Sequence, residues 1–326
     1  MYLKHFNLKE EPFATTPDPR YLYRSETHQE ALERIMTSVE QRRGITAIIG
    51  EPGLGKSLLI RTLLEGLKNN IRFAWVFNTT LNARELLKYI CRDFGFKPKG
   101  KDISDLLLEL YSFLIKEYEK GHYALLIVDE AQNLRVDVLE EIRQLSNLET
   151  ARNKLLQVVL SGQPQLDAYL EHPALQQLKQ RISLKAKLSR FKFEDTKKYI
   201  RHRLAVAKAK RDDIFTKAAV DAIYEISGGI PRLINQVCDN ALIVAAERKQ
   251  NQVDSSLVME LATEGKVMQA GQLMQITKPQ IPFPETKKAS RIVAKKAKQA
   301  KQNRIEFVNE DVQGFKGVDL GVLALA

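Results

Sequence analysis

Eight residues, Gly50-Glu51-Pro52-Gly53-Leu54-Gly55-Lys56-Ser57, constrain this chain more than any other feature. They follow the apolar run "ITAIIG" and open the helical pattern "SLLIRTLLEGL". The spacing G-x-x-x-x-G-K-S between a strand and a helix predicts a phosphate-binding loop at the end of a sheet. Glycines let such a loop close around phosphate oxygens with its N–H groups turned inward, and the helix N-terminus adds partial positive charge. Lys56 then reaches the β- and γ-phosphates, and Ser57 ligates Mg2+. Leu58 completes the stretch expected to surround ATP. The bland alternative is a Gly-rich turn with an exposed lysine. The strand before it and the helix after it argue against that alternative.

The runs "ITAIIG", "RFAWVFN", "YALLIVDE" and "LLQVVLSG" read as buried strands, with helix patterns between them. One such pattern, "ISDLLLELYSFLIKEY", has Ser104 as its expected cap. Strands separated by helices imply an α/β fold, a parallel sheet flanked by helices on both faces. The expected α/β nucleotide-binding domain spans 1–187. From 188 to 265 the strand signal vanishes, and "EDTKKYIRHRLAVAK", "TKAAVDAIYEIS" and "PRLINQVCDNALIVAAER" predict a small all-α lid domain. Residues 266–326 read as a Pro/Lys-rich flexible tail.

A second element supports the phosphate loop. In "ALLIVDEAQ", a buried run ends in Asp129 and Glu130. Asp129 is placed to hold Mg2+, and Glu130 to take a proton from the attacking water. The alternative is an ordinary acidic helix cap. Asn78 ends the second strand, where its amide either restrains Glu130 or caps the next loop. After the fourth strand, Gln163 is the preferred sensor of the γ-phosphate and Ser161 the alternative. Arg181, before a further strand-like run, is either a finger toward a neighbouring subunit or a solvated charge. Arg232, in "SGGIPRLIN", starts a helix behind Pro231 and is read as a phosphate contact from the lid.

These blocks, in this order, resemble an AAA+ ATPase. More narrowly, the chain resembles the secretion ATPases of the ExeA/GspA type and the related pilus biogenesis ATPase of the MshM type. The blocks are "MYLKHFNLKEEPFATTPDPRYLYRSETHQEAL", "GEPGLGKS", "LLIVDEAQNL", "LEEIRQLSNLET", "LSGQPQLDAYL", "LKQRISLKAKL" and "SGGIPRLINQVCDNAL". The resemblance implies that Arg181 is the arginine finger and Arg232 the second sensor. It also implies that Pro17, Asp18, Pro19 and Tyr21 pack near the adenine. It implies a ring-forming ATPase that supports assembly or transport of a pilus or type II secretion-like envelope system. The GspA type carries a membrane span and a wall-binding region after its ATPase domain. Neither is legible in this sequence, so the expectation is the MshM type.

Charge is uneven. Between Lys278 and Arg304 stand nine lysines and arginines and one acid, Glu285, so +8 of the net +11 lies in one segment. That segment suits an anionic membrane surface or nucleic acid, and it lies outside the resemblance. A DNA-associated regulator of the transposition type is therefore the rival reading. A nucleotide-gated scaffold with little turnover is a third, which the Asp129-Glu130 pair opposes. Two distant cysteines, no signal layout and no long apolar window predict a cytoplasmic protein, peripheral at the inner membrane if the tail meets lipid.

Overall fold

The computed structural model describes residues 2–67, 70–77, 80–265, 267, 268, 270 and 271. Five strands, β1 (Ile45–Ile49), β2 (Ile71–Val76), β3 (Tyr123–Val128), β4 (Leu156–Gly162) and β5 (Ile182–Lys187), form one sheet in the order β2-β3-β4-β1-β5. Every pairing is parallel. The helices are α1 (Tyr2–His5), α2 (Glu26–Glu40), α3 (Lys56–Gly66), α4 (Ala83–Asp93), α5 (Ile103–Glu119), α6 (Val136–Leu145), α7 (Pro164–Leu170) and α8 (Gln176–Arg181). Beyond the sheet follow α9 (Phe193–Val206), α10 (Lys217–Ser227), α11 (Pro231–Glu247) and α12 (Ser255–Thr263).

Period-two alternation sends neighbouring strand residues to opposite faces. Ala124, Leu126 and Val128 of β3 join one core with Leu86 of α4, Leu110 of α5 and Ile142 of α6. Leu125 and Ile127 join the other, with Ile35 of α2 and Leu59 of α3. Both faces are therefore covered, which is what a run without polar residues requires. Each of these large side chains contributes about 1.5–3 kcal/mol on burial.

Two sequence expectations shift. Asp102, not Ser104, caps α5, its carboxylate accepting the Asp105 N–H at 2.9 Å. The N-terminal segment, expected within the α/β domain of 1–187, gives its apolar side chains to the helical core. Tyr2, Phe6, Leu8 and Phe13 pack with Tyr199, Ile223, Val237 and Leu257. Polar ties fix it there: Tyr2 donates to Asp239 at 2.8 Å, and Arg203 donates to the carbonyls of Pro12 and Ala14. The aromatic side chains of this strap find their complement in the bundle, because the sheet's faces are already covered. The lysine-rich segment 278–304 and Asn78 lie outside the described residues.

Candidate nucleotide site

Parallel strands present their carboxyl ends at one edge of a sheet, where ligands bind in folds of this kind. The loop from Gly50 to Gly55 lies there, between β1 and α3. Gly53 and Gly55 hold φ of +82° and +90°, the left-handed region in which side chains other than glycine are strained. Leu54 anchors the turn by burying its side chain in the α2–α3 core, and Leu58 packs against the same core. Lys56 is buried, and its Nζ donates to the carbonyl of Gly50 at 2.8 Å and of Glu51 at 3.2 Å. Burial pushes the Lys56 ammonium below its ordinary pKa, while Glu130, Asp129 and Glu51 oppose that shift.

Asp129 and Glu130 follow the last residue of β3. Asp129 is buried and accepts from Ser57 Oγ at 2.9 Å and from Ser161 Oγ at 2.7 Å. Two oxygen donors, Ser57 and Asp129, thus stand side by side, a set suited to a hard divalent cation. Glu130 has a left-handed backbone, φ 49° and ψ 41°. Its Oε2 accepts from Gln163 Nε2 at 2.9 Å and from Gln132 Nε2 at 2.6 Å. Of the two expected sensors, Ser161 therefore faces Asp129 and Gln163 faces Glu130.

The family described as "AAA domain" matches residues 39–170, which contain this loop, both acids and four of the five strands. The chain has the P-loop AAA+ fold. General secretion pathway protein A of Aeromonas hydrophila is 42% identical over 255 residues, 78% of this chain and 46% of that protein. The chain thus spans about half the length of this curated relative. Among solved structures, the ORC2 protein of Aeropyrum pernix, in ADPNP-ADP complexes, has a TM-score of 0.62 at 19% identity. The match covers 78% of this chain and 72% of that one. Cdc6p of Pyrobaculum aerophilum has the same TM-score at 17% identity, over 82% and 74% of the two chains. At such identities the likeness speaks for the fold.

The helical bundle α9–α12 touches the loop from Gly50 to Gly55. The Arg232 N–H donates to the Gly53 carbonyl at 3.2 Å, and its exposed side chain starts above that loop. Gly229, with φ +74°, lets the turn before α11 lie against the Phe191 backbone, where a Cβ would meet the Phe191 oxygen at 2.1 Å. Asp18 caps the short turn Pro19–Tyr21, and Tyr21 is buried beneath the Arg203 guanidinium, 4.6 Å from its ring centre. Arg181 is exposed at the end of α8, immediately before β5. Because Ile182 pairs with Ile45 at the start of β1, Arg181 stands about 15 Å, one strand length, from its own phosphate loop.

Three contacts escaped sequence reasoning. His28, buried on α2, hydrogen-bonds through Nε2 to the Leu54 carbonyl and through Nδ1 to Ser25 Oγ, both at 2.8 Å. Desolvation lowers the His28 pKa, so the neutral ring donates from Nε2 and accepts from Ser25. Arg190, between β5 and α9, donates to Glu51 at 2.6 and 3.0 Å, which ties the link to the lid onto the phosphate loop. Gln132 was visible in "DEAQ", but nothing in that string says its amide turns back onto Glu130.

Proposed function

We propose that this chain binds ATP with Mg2+ at the loop Gly50–Ser57 and hydrolyses it. The observation that carries the reading is the meeting of Lys56, Ser57, Asp129 and Glu130 at one end of β3. Lys56 exchanges its two loop carbonyls for the β- and γ-phosphate oxygens. Ser57 and Asp129 hold Mg2+, which neutralises phosphate charge when bound. Glu130 takes a proton from water as that water attacks the γ-phosphorus and the bond to the bridging oxygen breaks, releasing ADP and phosphate. Gln163 and Ser161 relay the state of the γ-phosphate to the two acids. Arg232 reads the phosphate from the lid, and the Pro17–Tyr21 turn brackets the base.

Arg181 acts in trans, since its own loop lies a strand length away, and hydrolysis therefore requires an oligomer, a ring in our reading. Arg181→Ala is expected to hydrolyse poorly alone and to be rescued by mixing with Glu130→Gln subunits, which keep their Arg181. No rescue across mixing ratios would remove the trans role.

The cellular role we propose is assembly or transport of a pilus or type II secretion-like envelope system, from the cytoplasmic side of the inner membrane. The 42% identity to General secretion pathway protein A supports it. The finer assignment, a pilus ATPase of the MshM type, stands on the sequence resemblance alone. No helix among the described residues is long and apolar enough to cross a membrane. The +8 segment then supplies attraction to anionic lipid, about 1 kcal/mol per basic residue near the surface. The same charge favours the rival reading, a DNA-associated regulator. ATP turnover measured with anionic liposomes and with duplex DNA, at low and moderate salt, separates them. Stimulation by liposomes alone supports the envelope role, and stimulation by DNA alone replaces it.

A further inference from the structure

We propose that Val267, Met268 and Ala270, where the chain leaves the helical bundle, form a latch that pins the bundle onto the loop Gly50–Ser57 and governs how fast nucleotide leaves it. The proposal concerns regulation of the ATP site and rests on the reading of that loop as the site.

Gly265, with φ +68°, turns the chain back after α12. Val267 is 3% exposed and joins the bundle core with Leu257 and Leu261 of α12. Met268 and Ala270 are half-buried and pack against the other core. That core holds Leu54 of the loop, Ile35 of α2, and Ile230 and Leu233 where α11 begins. One short stretch of chain thus belongs to both cores. The seam it crosses is narrow at Gly228, the left-handed cap of α10. A Cβ on Gly228 would lie 3.1 Å from Ala270 Cβ and 3.3 Å from Arg190 Nη1. Arg190 is the residue that donates to Glu51 of the loop. Ala270 therefore stands beside the ion pair that joins the loop to the bundle, in a gap that admits only a small side chain.

The polar ties across this seam are weak by themselves. The Arg232 N–H reaches the Gly53 carbonyl at 3.2 Å, and the Arg190–Glu51 pair is partly exposed. Apolar contact beside them adds its own burial and keeps water from both. The latch can also open. Neither Met268 nor Ala270 has a charge or an N–H on its side chain to strand when it lifts. Gly271, the next residue, is exposed, so any pull on the chain beyond it acts first on these contacts. A nucleotide held between the loop and the bundle stabilises the same seam. Latch and nucleotide therefore strengthen each other, and loosening one loosens the other.

The test is Met268→Gln with Ala270→Gln in the full chain, which changes size and polarity at the seam without changing charge. Release of a fluorescent ATP analogue, chased with excess unlabelled nucleotide, is expected to be about fivefold faster, the order expected for one half-buried apolar side chain. Without nucleotide, amide hydrogen exchange over residues 228–234 is expected to rise, while β3 and α5 keep the protection they have in the unaltered chain. Ala270→Gln alone carries the same prediction should the double variant fail to fold. Unchanged release and unchanged exchange at 228–234 overturn the latch. So does a rise in exchange spread evenly over the sheet, which is lost stability and not an opened seam. If the unaltered chain fails to bind the analogue, the ATP reading falls instead, and the exchange measurement still decides whether the latch holds the bundle to the loop.

Discussion

Strand β3 runs between two carboxylates that the fold treats in opposite ways. At its entry, Glu117 of α5 is buried beside two cations and an imidazole: Lys120 donates at 2.7 Å, His122 at 2.6 Å and Arg72 at 3.0 Å. Those hydrogen bonds, Lys120 first, hold its carboxyl down at about 2. At the exit, Glu130 is held by two neutral amides with the Lys56 ammonium nearby. A carboxylate wrapped in cations stays an anion and fixes structure. A carboxylate held by amides can be let go at small cost, and so can do chemistry. The strand's direction decides which end receives which, since the phosphate loop belongs to the carboxyl ends of the parallel sheet.

The largest expected effect lies at the exit. Lys56→Ala is expected to abolish nucleotide binding, a loss of at least about a hundredfold for a phosphate-pairing charge, while the melting temperature stays near that of the unaltered chain. A fluorescent nucleotide titration beside a thermal scan measures both. At the entry, Glu117→Gln should do the reverse. It leaves nucleotide affinity intact and lowers stability by about 2 kcal/mol, roughly 4–8 °C in Tm. The loss is no larger because Arg72 and Lys120 are more than half exposed and return to water. Should Glu117→Gln weaken nucleotide binding instead, the two ends are not separate in role.

Acid offers a second route to the same contrast. The folded pKa of Glu117 is depressed, so its contribution to stability is complete above the ordinary 4.5 and is lost as pH falls toward about 2. Unfolding free energy measured across that window should fall in the unaltered chain and fall less in Glu117→Gln. The smallest effect is expected for Arg190→Ala. A partly exposed ion pair to Glu51 contributes well under about 1 kcal/mol, so KM for ATP should rise about threefold at most.

What the sequence made legible was whatever lay close together along the chain. The phosphate loop is eight consecutive residues, and Asp129 and Glu130 are adjacent at the end of an apolar run. Strand alternation with helices was equally plain, because each run had a different hydrophobic period. The contacts that tune the site were not legible, since they join distant positions. His28 meets Leu54 across 26 residues, and Arg190 meets Glu51 across 139. The docking of Phe13 on the helical core likewise depends on which surface is still uncovered once the sheet is packed. Even the cap of α5 was decided by two residues, Asp102 over Ser104, a difference that local propensity does not resolve.

The measurement that tests the account most directly is ATP binding and turnover by Glu130→Gln, side by side with the unaltered chain. The account predicts unchanged nucleotide affinity and a turnover reduced by about a hundredfold or more, the contribution of a positioned general base. Turnover at the normal rate would contradict it, and would move the chemistry away from the end of β3.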